Sequence, residues 1–202
     1  MEKTLSKRIG DFSKPIDALQ TILIFLIALL VPTFLGSWIK TTFGATSAIT
    51  ANSQIIVGSI VNTALIMSAL NLKGWSKILG VITMPSISTI LSGYVFQSAS
   101  PYMVWMIPAI WLGNFALIYA YKFIMLSKEK NYFLAGIVGI VAKVAIIAIS
   151  FMIIKGFGIF PEKLVNTLQT AMTTTQLVTA CIGAIISFSL YAAEKNVLKN
   201  NN

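Results

Sequence analysis

Long apolar runs separated by short polar segments make up nearly all of this chain. Each run is close to the roughly 20 residues that a helix needs to cross the hydrocarbon of a bilayer. The pattern therefore predicts an all-α membrane protein, a bundle of six transmembrane helices in a single domain, residues 1–202, with short tails at about 1–17 and 195–202. The predicted spans are Ala18–Trp38, about Ile55–Leu72, Ile78 to about Phe96, about Tyr102–Phe123, Phe133–Ile154 and about Leu168–Tyr191.

Composition supports a membrane location. Of the 202 residues, 56% are hydrophobic and only 10% are charged, and the mean hydropathy is +0.84. Soluble domains carry about 25% charged residues, so this chain has too few to cover a water-facing globule. The net charge of +9 lies mainly between the apolar runs, which indicates membrane topology and no nucleic-acid partner.

The distribution of basic residues predicts the orientation. With the N-terminus inside, eleven lysines and arginines fall on the cytoplasmic side and three, Lys40, Lys155 and Lys163, fall outside. Under the positive-inside rule this places both termini in the cytoplasm of a multi-pass protein of the cell membrane. The eleven inner residues are Lys3, Lys7, Arg8, Lys14, Lys73, Lys77, Lys122, Lys128, Lys130, Lys195 and Lys199.

The residue types inside the spans argue against an enzyme. The chain has no histidine and one cysteine, Cys181, and its six acidic residues lie at span ends or in loops. Intramembrane hydrolases and proton pumps place histidines, carboxylates or metal ligands within the bilayer. There is also no nucleotide-binding P-loop. We therefore expect no cofactor and a binding, conducting or assembly function.

Lys143 is the most informative residue of the sequence, because it lies near the centre of the fifth predicted span. A lysine there costs about 2.5–3.5 kcal/mol on insertion scales, so it should face protein or water and not lipid. The apolar runs contain no carboxylate to pair with it, which favours a pocket that receives an anion or a polar ligand. The alternative is that Lys143 snorkels or bonds helix-end carbonyls and has no ligand.

Other polar residues are predicted to reach the same depth as Lys143. Trp111 and Asn114 are three apart in the fourth span, and the sixth span carries Gln169, Thr173 and Gln176 at helical spacing. With Lys143 they predict an outward-opening, aromatic-walled pocket for a small, flat or anionic metabolite. Alternatively, Asn114 and Gln176 are interhelical hydrogen-bond partners with a structural role.

Two further patterns concern packing and access. Ala171, Thr175, Thr179, Gly183 and Ser187 recur every four residues, a small-residue stripe that predicts close helix packing, either within the chain or against another subunit. The Lys40–Gln54 segment is long for a helix connection and rich in small polar residues. It is either a lid over the pocket or a plain connector.

Four short segments carry a resemblance to a known family: Gly58–Ala64 (GSIVNTA), Leu70–Trp75 (LNLKGW), Pro108–Asn114 (PAIWLGN) and Gln176–Gly183 (QLVTACIG). With the chain length and the six predicted spans, they resemble the substrate-binding S components of energy-coupling factor (ECF) transporters. The resemblance implies uptake of a vitamin-like micronutrient, with a transmembrane coupling subunit and two ATPase subunits as partners. In that family the first span usually carries an Ala-x-x-x-Ala patch for docking; here it has only Ala18 and Ala28.

Two other functions stay open at this point. A scaffold or assembly subunit would use the small-residue stripe to bind other membrane helices. A self-contained channel or exporter would need no partner.

The predicted topology can be tested with reporter fusions. Reporters placed after Asn202 or within Lys128–Asn131 should be active in the cytoplasm, and reporters within Thr41–Gln54 should be active outside, because of the distribution of basic residues. An external C-terminus would contradict both the number of spans and the orientation.

Overall fold

The computed structural model describes residues 15–72 and 75–200, and the described residues form helices and connections without a strand. This confirms the all-α prediction. The tails at 1–14 and 201–202, with Lys73 and Gly74, lie outside the described residues, so the basic residues predicted there are not placed. The helices are α1 (Pro15–Phe43), α2 (Ala48–Ala51), α3 (Ser53–Asn71), α4 (Trp75–Ser92), α5 (Ile107–Ala120), α6 (Tyr132–Gly156), α7 (Glu162–Met172) and α8 (Thr174–Asn200).

Five helical stretches are long and apolar enough to cross a membrane, which indicates a multi-pass membrane protein. They match five of the six predicted spans. The third predicted span corresponds to α4, whose apolar part Lys77–Ser92 is shorter than the others, so the count of six stays a prediction. The five stretches are Thr21–Phe43, Ser53–Asn71, Gln97–Ser127, Tyr132–Gly156 and Glu162–Glu194.

Several predicted boundaries differ from the structure. Helix α1 continues to Phe43, and the Ser47 side chain caps the single turn of α2 by accepting from the Thr50 amide at 3.1 Å. The segment predicted as a long connection is therefore largely helical. Around α5 the helix changes type: a 3₁₀ segment, Gln97–Met106, leads into α5, and a π-helical segment, Tyr121–Ser127, continues it.

The sixth predicted span is interrupted. Helix α7 ends at Met172 and α8 begins at Thr174, with Thr173 in a non-helical conformation between them. The prediction of one continuous helix through Gln169, Thr173 and Gln176 is wrong at this point. Thr and Gln have no strong preference against helix, so nothing in the local sequence signals the break.

Helices α3 and α8 pack closely through two glycines. A Cβ atom on Gly183 would lie 2.6 Å from Asn62 Cβ, and one on Gly58 would lie 2.9 Å from Thr179 Cγ2. The backbones can approach this closely because these positions have no side chain, which is the usual use of small residues between membrane helices. Packing is thus confirmed for Thr179, Gly183 and Ser187 of the small-residue stripe, and their partner is α3 of the same chain. The other two stripe residues, Ala171 and Thr175, line a cavity described below.

A second close contact joins α5 to α6. A Cβ atom on Gly113 would lie 2.9 Å from Ile147 Cγ1 and 3.2 Å from the carbonyl oxygen of Lys143. Gly113 therefore brings α5 against the backbone of Lys143 itself. Because Asn114 follows Gly113 in the chain, this contact also holds Asn114 close to Lys143 along the bundle.

Replacement of Gly183 tests the packing of α3 against α8. Gly183→Ala should lower the free energy of unfolding by about 1–3 kcal/mol, the usual cost of overpacking a filled interior. The measurement is denaturant or thermal unfolding of the purified chain in detergent. Gly156→Ala is the matched control, because a Cβ there meets no atom within 4 Å, and it should be neutral or stabilising. Equal stability of the two variants would contradict the close packing.

Candidate functional site

Lys143 lies in the interior of the bundle, with 2% of its surface exposed. This confirms that it faces protein and not lipid. Its ammonium donates a hydrogen bond to the amide oxygen Oδ1 of Asn62 at 2.5 Å. A hydrogen bond to a charged group is worth about 1.5–3 kcal/mol, so Asn62 offsets part of the cost of burying the charge. Lys143 therefore bonds a neighbouring helix and does not snorkel outward.

The amide of Asn62 has a fixed orientation. Its Nδ2 donates to the carbonyl oxygen of Gly58 at 2.9 Å and to Thr179 Oγ1 at 3.1 Å. Because both donor hydrogens are used in this way, Oδ1 must point toward Lys143. Asn62 thus joins three helices, α3, α6 and α8, at one point.

A small cavity, the inner pocket, adjoins Lys143 and has a volume of about 70 Å³. It lies among α3, α4, α5, α6 and α8, and its wall mixes aliphatic side chains with amides and hydroxyls. The residues around it are Gln54, Val57, Gly58, Val61, Asn62, Pro85, Ser86, Thr89, Val95, Phe96, Ile110, Asn114, Lys143, Gln176 and Thr179.

A much larger cavity of about 770 Å³, the outer chamber, shares Gln54, Val95 and Phe96 with the inner pocket. Its wall comes from the α1–α3 connection, the start of the 3₁₀ segment, α7 and the start of α8. All three connections that the basic-residue pattern predicts outside contribute to this wall, together with residues at the start of the sixth predicted span. The remaining lining residues are Ala45, Thr46, Ala51, Asn52, Gln97, Ser98, Ala99, Asn166, Thr167, Leu168, Thr170, Ala171 and Thr175.

Two buried polar atoms at the inner pocket have no hydrogen-bond partner within the described part of the chain. They are Oδ1 of Asn114 and Oγ of Ser86, whose residues are 2% and 6% exposed. Buried polar groups in folded proteins are nearly always bonded, so unbonded groups at a cavity favour a role toward a ligand or solvent there. The other end of the Asn114 amide is bonded, since Nδ2 donates to the carbonyl oxygen of Ile82 at 3.3 Å.

The break between α7 and α8 is held by two glutamines. The amides of Gln54 and Gln176 both donate to the carbonyl oxygen of Ala171, at 3.1 and 3.4 Å. The last carbonyls of a helix lack intrahelical partners, and these side chains supply one. Gln176 therefore has a structural hydrogen bond in addition to its place beside the inner pocket.

The structure brings three of the six predicted site residues together: Lys143, Asn114 and Gln176 all line the inner pocket. The other three lie elsewhere. Trp111 is partly buried against the main hydrophobic core. The side-chain oxygen of Gln169 accepts a hydrogen bond from Lys155 Nζ at 3.3 Å, and its backbone carbonyl oxygen accepts one from Thr173 Oγ1. None of these three lines either cavity. The aromatic ring at the inner pocket belongs to Phe96 in place of Trp111.

Sequence reasoning did not assign three important residues to the site: Asn62, Ser86 and Phe96. Asn62 is an amide inside an apolar run, the same signal that singled out Asn114, but its neighbours Gly58 and Ser59 favoured a packing role. Ser86 follows Pro85 in the least apolar run. Phe96 is one apolar residue among many, so its position depends on tertiary packing and carries no local signal.

The groups around the inner pocket can bind a ligand. It offers one cation, several hydrogen-bond donors and acceptors and an aromatic ring. Among the described residues no cluster of three or more histidine, cysteine or acidic side chains is placed to hold a metal ion.

Comparisons of the chain with protein-family models, with curated proteins and with solved structures find no significant match.

A double-mutant cycle tests the contact between Lys143 and Asn62. Asn62→Leu should destabilise the protein, because it leaves the buried ammonium of Lys143 without its partner. Lys143→Met loses the same bond but also removes the buried charge, so its effect alone should be smaller. The double variant removes both groups, so the measured coupling should be about 1.5–3 kcal/mol, the value for a hydrogen bond to a charged group. Unfolding in detergent gives the four stabilities, and strictly additive effects would show that the two side chains do not interact.

Proposed function

We propose that this protein is a membrane-embedded substrate-binding subunit for the uptake of a small, vitamin-like micronutrient. The observation that supports this most strongly is the position of Lys143. Its ammonium is buried mid-helix, has an uncharged partner in Asn62, and adjoins a pocket that meets a larger chamber. A costly charge that faces a cavity within apolar helices is typical of a substrate site in membrane proteins.

The size and lining of the cavities are consistent with this proposal. Ligand sites for small molecules have volumes of about 300–1,000 Å³ with a few convergent polar groups. The outer chamber, at about 770 Å³, is in this range, and the inner pocket supplies the convergent polar groups.

Energy for uptake would come from other proteins. By the resemblance to ECF S components, the partners are a transmembrane coupling subunit and two ATPase subunits, and release follows toppling of the whole subunit in the bilayer. Since α1 lacks the Ala-x-x-x-Ala patch, docking would use a different surface. The exposed side of α1 offers one, formed by Leu19, Leu23, Leu26, Leu30, Phe34 and Trp38.

The proposed topology has six spans, with α4 as the third, both termini in the cytoplasm of the cell membrane and the outer chamber facing outside. Its support is the eleven-to-three distribution of basic residues and the meeting of all three predicted outer connections at the chamber. The alternative function as a scaffold assumed that the small-residue stripe binds other membrane helices. The part of the stripe that packs closely does so against α3 of the same chain, which weakens that alternative.

Co-purification tests the proposed function directly. The full chain, purified in mild detergent and then denatured, should release one small molecule in roughly stoichiometric amount, detected by mass spectrometry. Lys143→Met should weaken retention of that molecule by about 1.5–3 kcal/mol, the contribution of a hydrogen bond to a charged group. Lys163→Met, on the exposed surface of α7, is the matched control and should retain it as the parent does.

Two results would count against this function. One is a parent protein that releases no small molecule and binds none of a panel of vitamins. The other is a Lys143→Met variant that is folded and binds with unchanged affinity.

A further inference from the structure

We infer that the ligand is an elongated, uncharged molecule whose inner end carries a carbonyl beside an N–H group, as in an amide, a lactam or a ureido group. The inference rests on the proposed function and deepens it. The basis is a hydrogen-bond donor, Lys143, and a hydrogen-bond acceptor, Asn114, which both line the narrow inner pocket.

Lys143 supplies the donor. An ammonium has three N–H groups, and among the described residues its bond goes to Asn62 Oδ1. Asn62 cannot rotate to present another group, since its Nδ2 is bonded to Gly58 and Thr179. Two N–H groups therefore remain for an acceptor, which a carbonyl oxygen provides.

Asn114 supplies an acceptor, and its orientation is also fixed. The Ile82 carbonyl can only accept, so the Asn114 amide must turn its Nδ2 to Ile82. Its Oδ1 is the buried atom without a partner, and the residue lines the pocket. No hydrogen from the described residues reaches this oxygen, and an N–H or O–H group of a ligand in the pocket would supply one.

A carboxylate meets only half of this requirement. It satisfies Lys143, but ionised oxygens are acceptors without a hydrogen to offer Asn114. A carbonyl with a neighbouring N–H satisfies both groups at once. The hydroxyl of Ser86 can donate or accept and so adapts to either.

The inner pocket and the outer chamber differ in size and would hold different parts of the ligand. At about 70 Å³, the inner pocket is roughly half the size of a cavity of about 150 Å³ that admits benzene, so an end group enters and a whole ring does not. The rest would occupy the outer chamber past Phe96. None of the described residues around that chamber is charged, and nine of them are hydroxyl or amide side chains, which suits an uncharged, hydrogen-bonding body.

Three matched probes test the inference: nicotinamide, nicotinate and methyl nicotinate. They share one ring and differ in the group offered to the inner pocket: a carbonyl with N–H, a carboxylate, or a carbonyl without N–H. Affinities are measured by ligand-induced shifts in thermal unfolding of the full chain in detergent at millimolar probe concentrations. Nicotinamide should bind at least tenfold more tightly than the other two, since a tenfold change corresponds to about one neutral hydrogen bond.

Asn114→Leu supplies the matching change in the protein. It should reduce the preference for nicotinamide over methyl nicotinate from at least tenfold to about onefold, because the group that distinguishes the two probes is gone. Asn196→Leu, exposed near the end of α8, should preserve that preference. The comparison of the three probes on the unaltered chain decides the question even if Asn114→Leu does not fold.

The outcomes separate this inference from the proposed function. Tightest binding of nicotinate, lost in Lys143→Met, would overturn the amide-type ligand and leave the transport function in place. If none of the probes binds, the co-purified compound decides, because a compound without a carbonyl beside an N–H overturns the inference. If no compound co-purifies and no probe binds, both the inference and the proposed function are overturned.

Discussion

The need to surround one buried ammonium organises the centre of this protein. A charge within apolar helices requires hydrogen-bond partners, and the sequence provides no carboxylate at that depth. Asn62 takes that role, and its amide is oriented by Gly58 and Thr179. These bonds form only because α3 and α8 touch at glycines, so the packing of two helices and the chemistry of a third, α6, depend on each other.

The structure is irregular at the end of the bundle that holds the outer chamber, and the irregularity creates this chamber. Helix α7 stops at Met172, the 3₁₀ segment replaces a regular turn before α5, and α2 is a single turn. Regular helices in contact leave little room between them. The interruptions spread the wall of the outer chamber, and Gln54 and Gln176 satisfy the backbone at the break.

Features that follow from the spacing of residues and the length of apolar runs could be predicted from the sequence. Features that depend on contacts between helices could not. Five of the six long apolar stretches, the burial of Lys143 and the packing role of Thr179 and Gly183 could be predicted, because hydropathy and small-residue spacing are local properties. The break at Thr173 could not be predicted, nor could the finding that Phe96 and not Trp111 lines the inner pocket. Each depends on which helix neighbours which, and in a chain that is apolar on nearly every face the hydrophobic pattern says little about that.

The neutral partner of Lys143 has a consequence for the electrical behaviour of the protein. A charge that crosses the whole membrane exchanges about 2.3 kcal/mol with a potential of 100 mV, and an anion that travelled part of the way would exchange part of that energy. The ammonium of Lys143 is fixed to its helix and Asn62 adds no charge, so the site carries the same charge before and after an uncharged molecule arrives. Occupancy of the site by the uncharged ligand proposed above would then be independent of the membrane voltage.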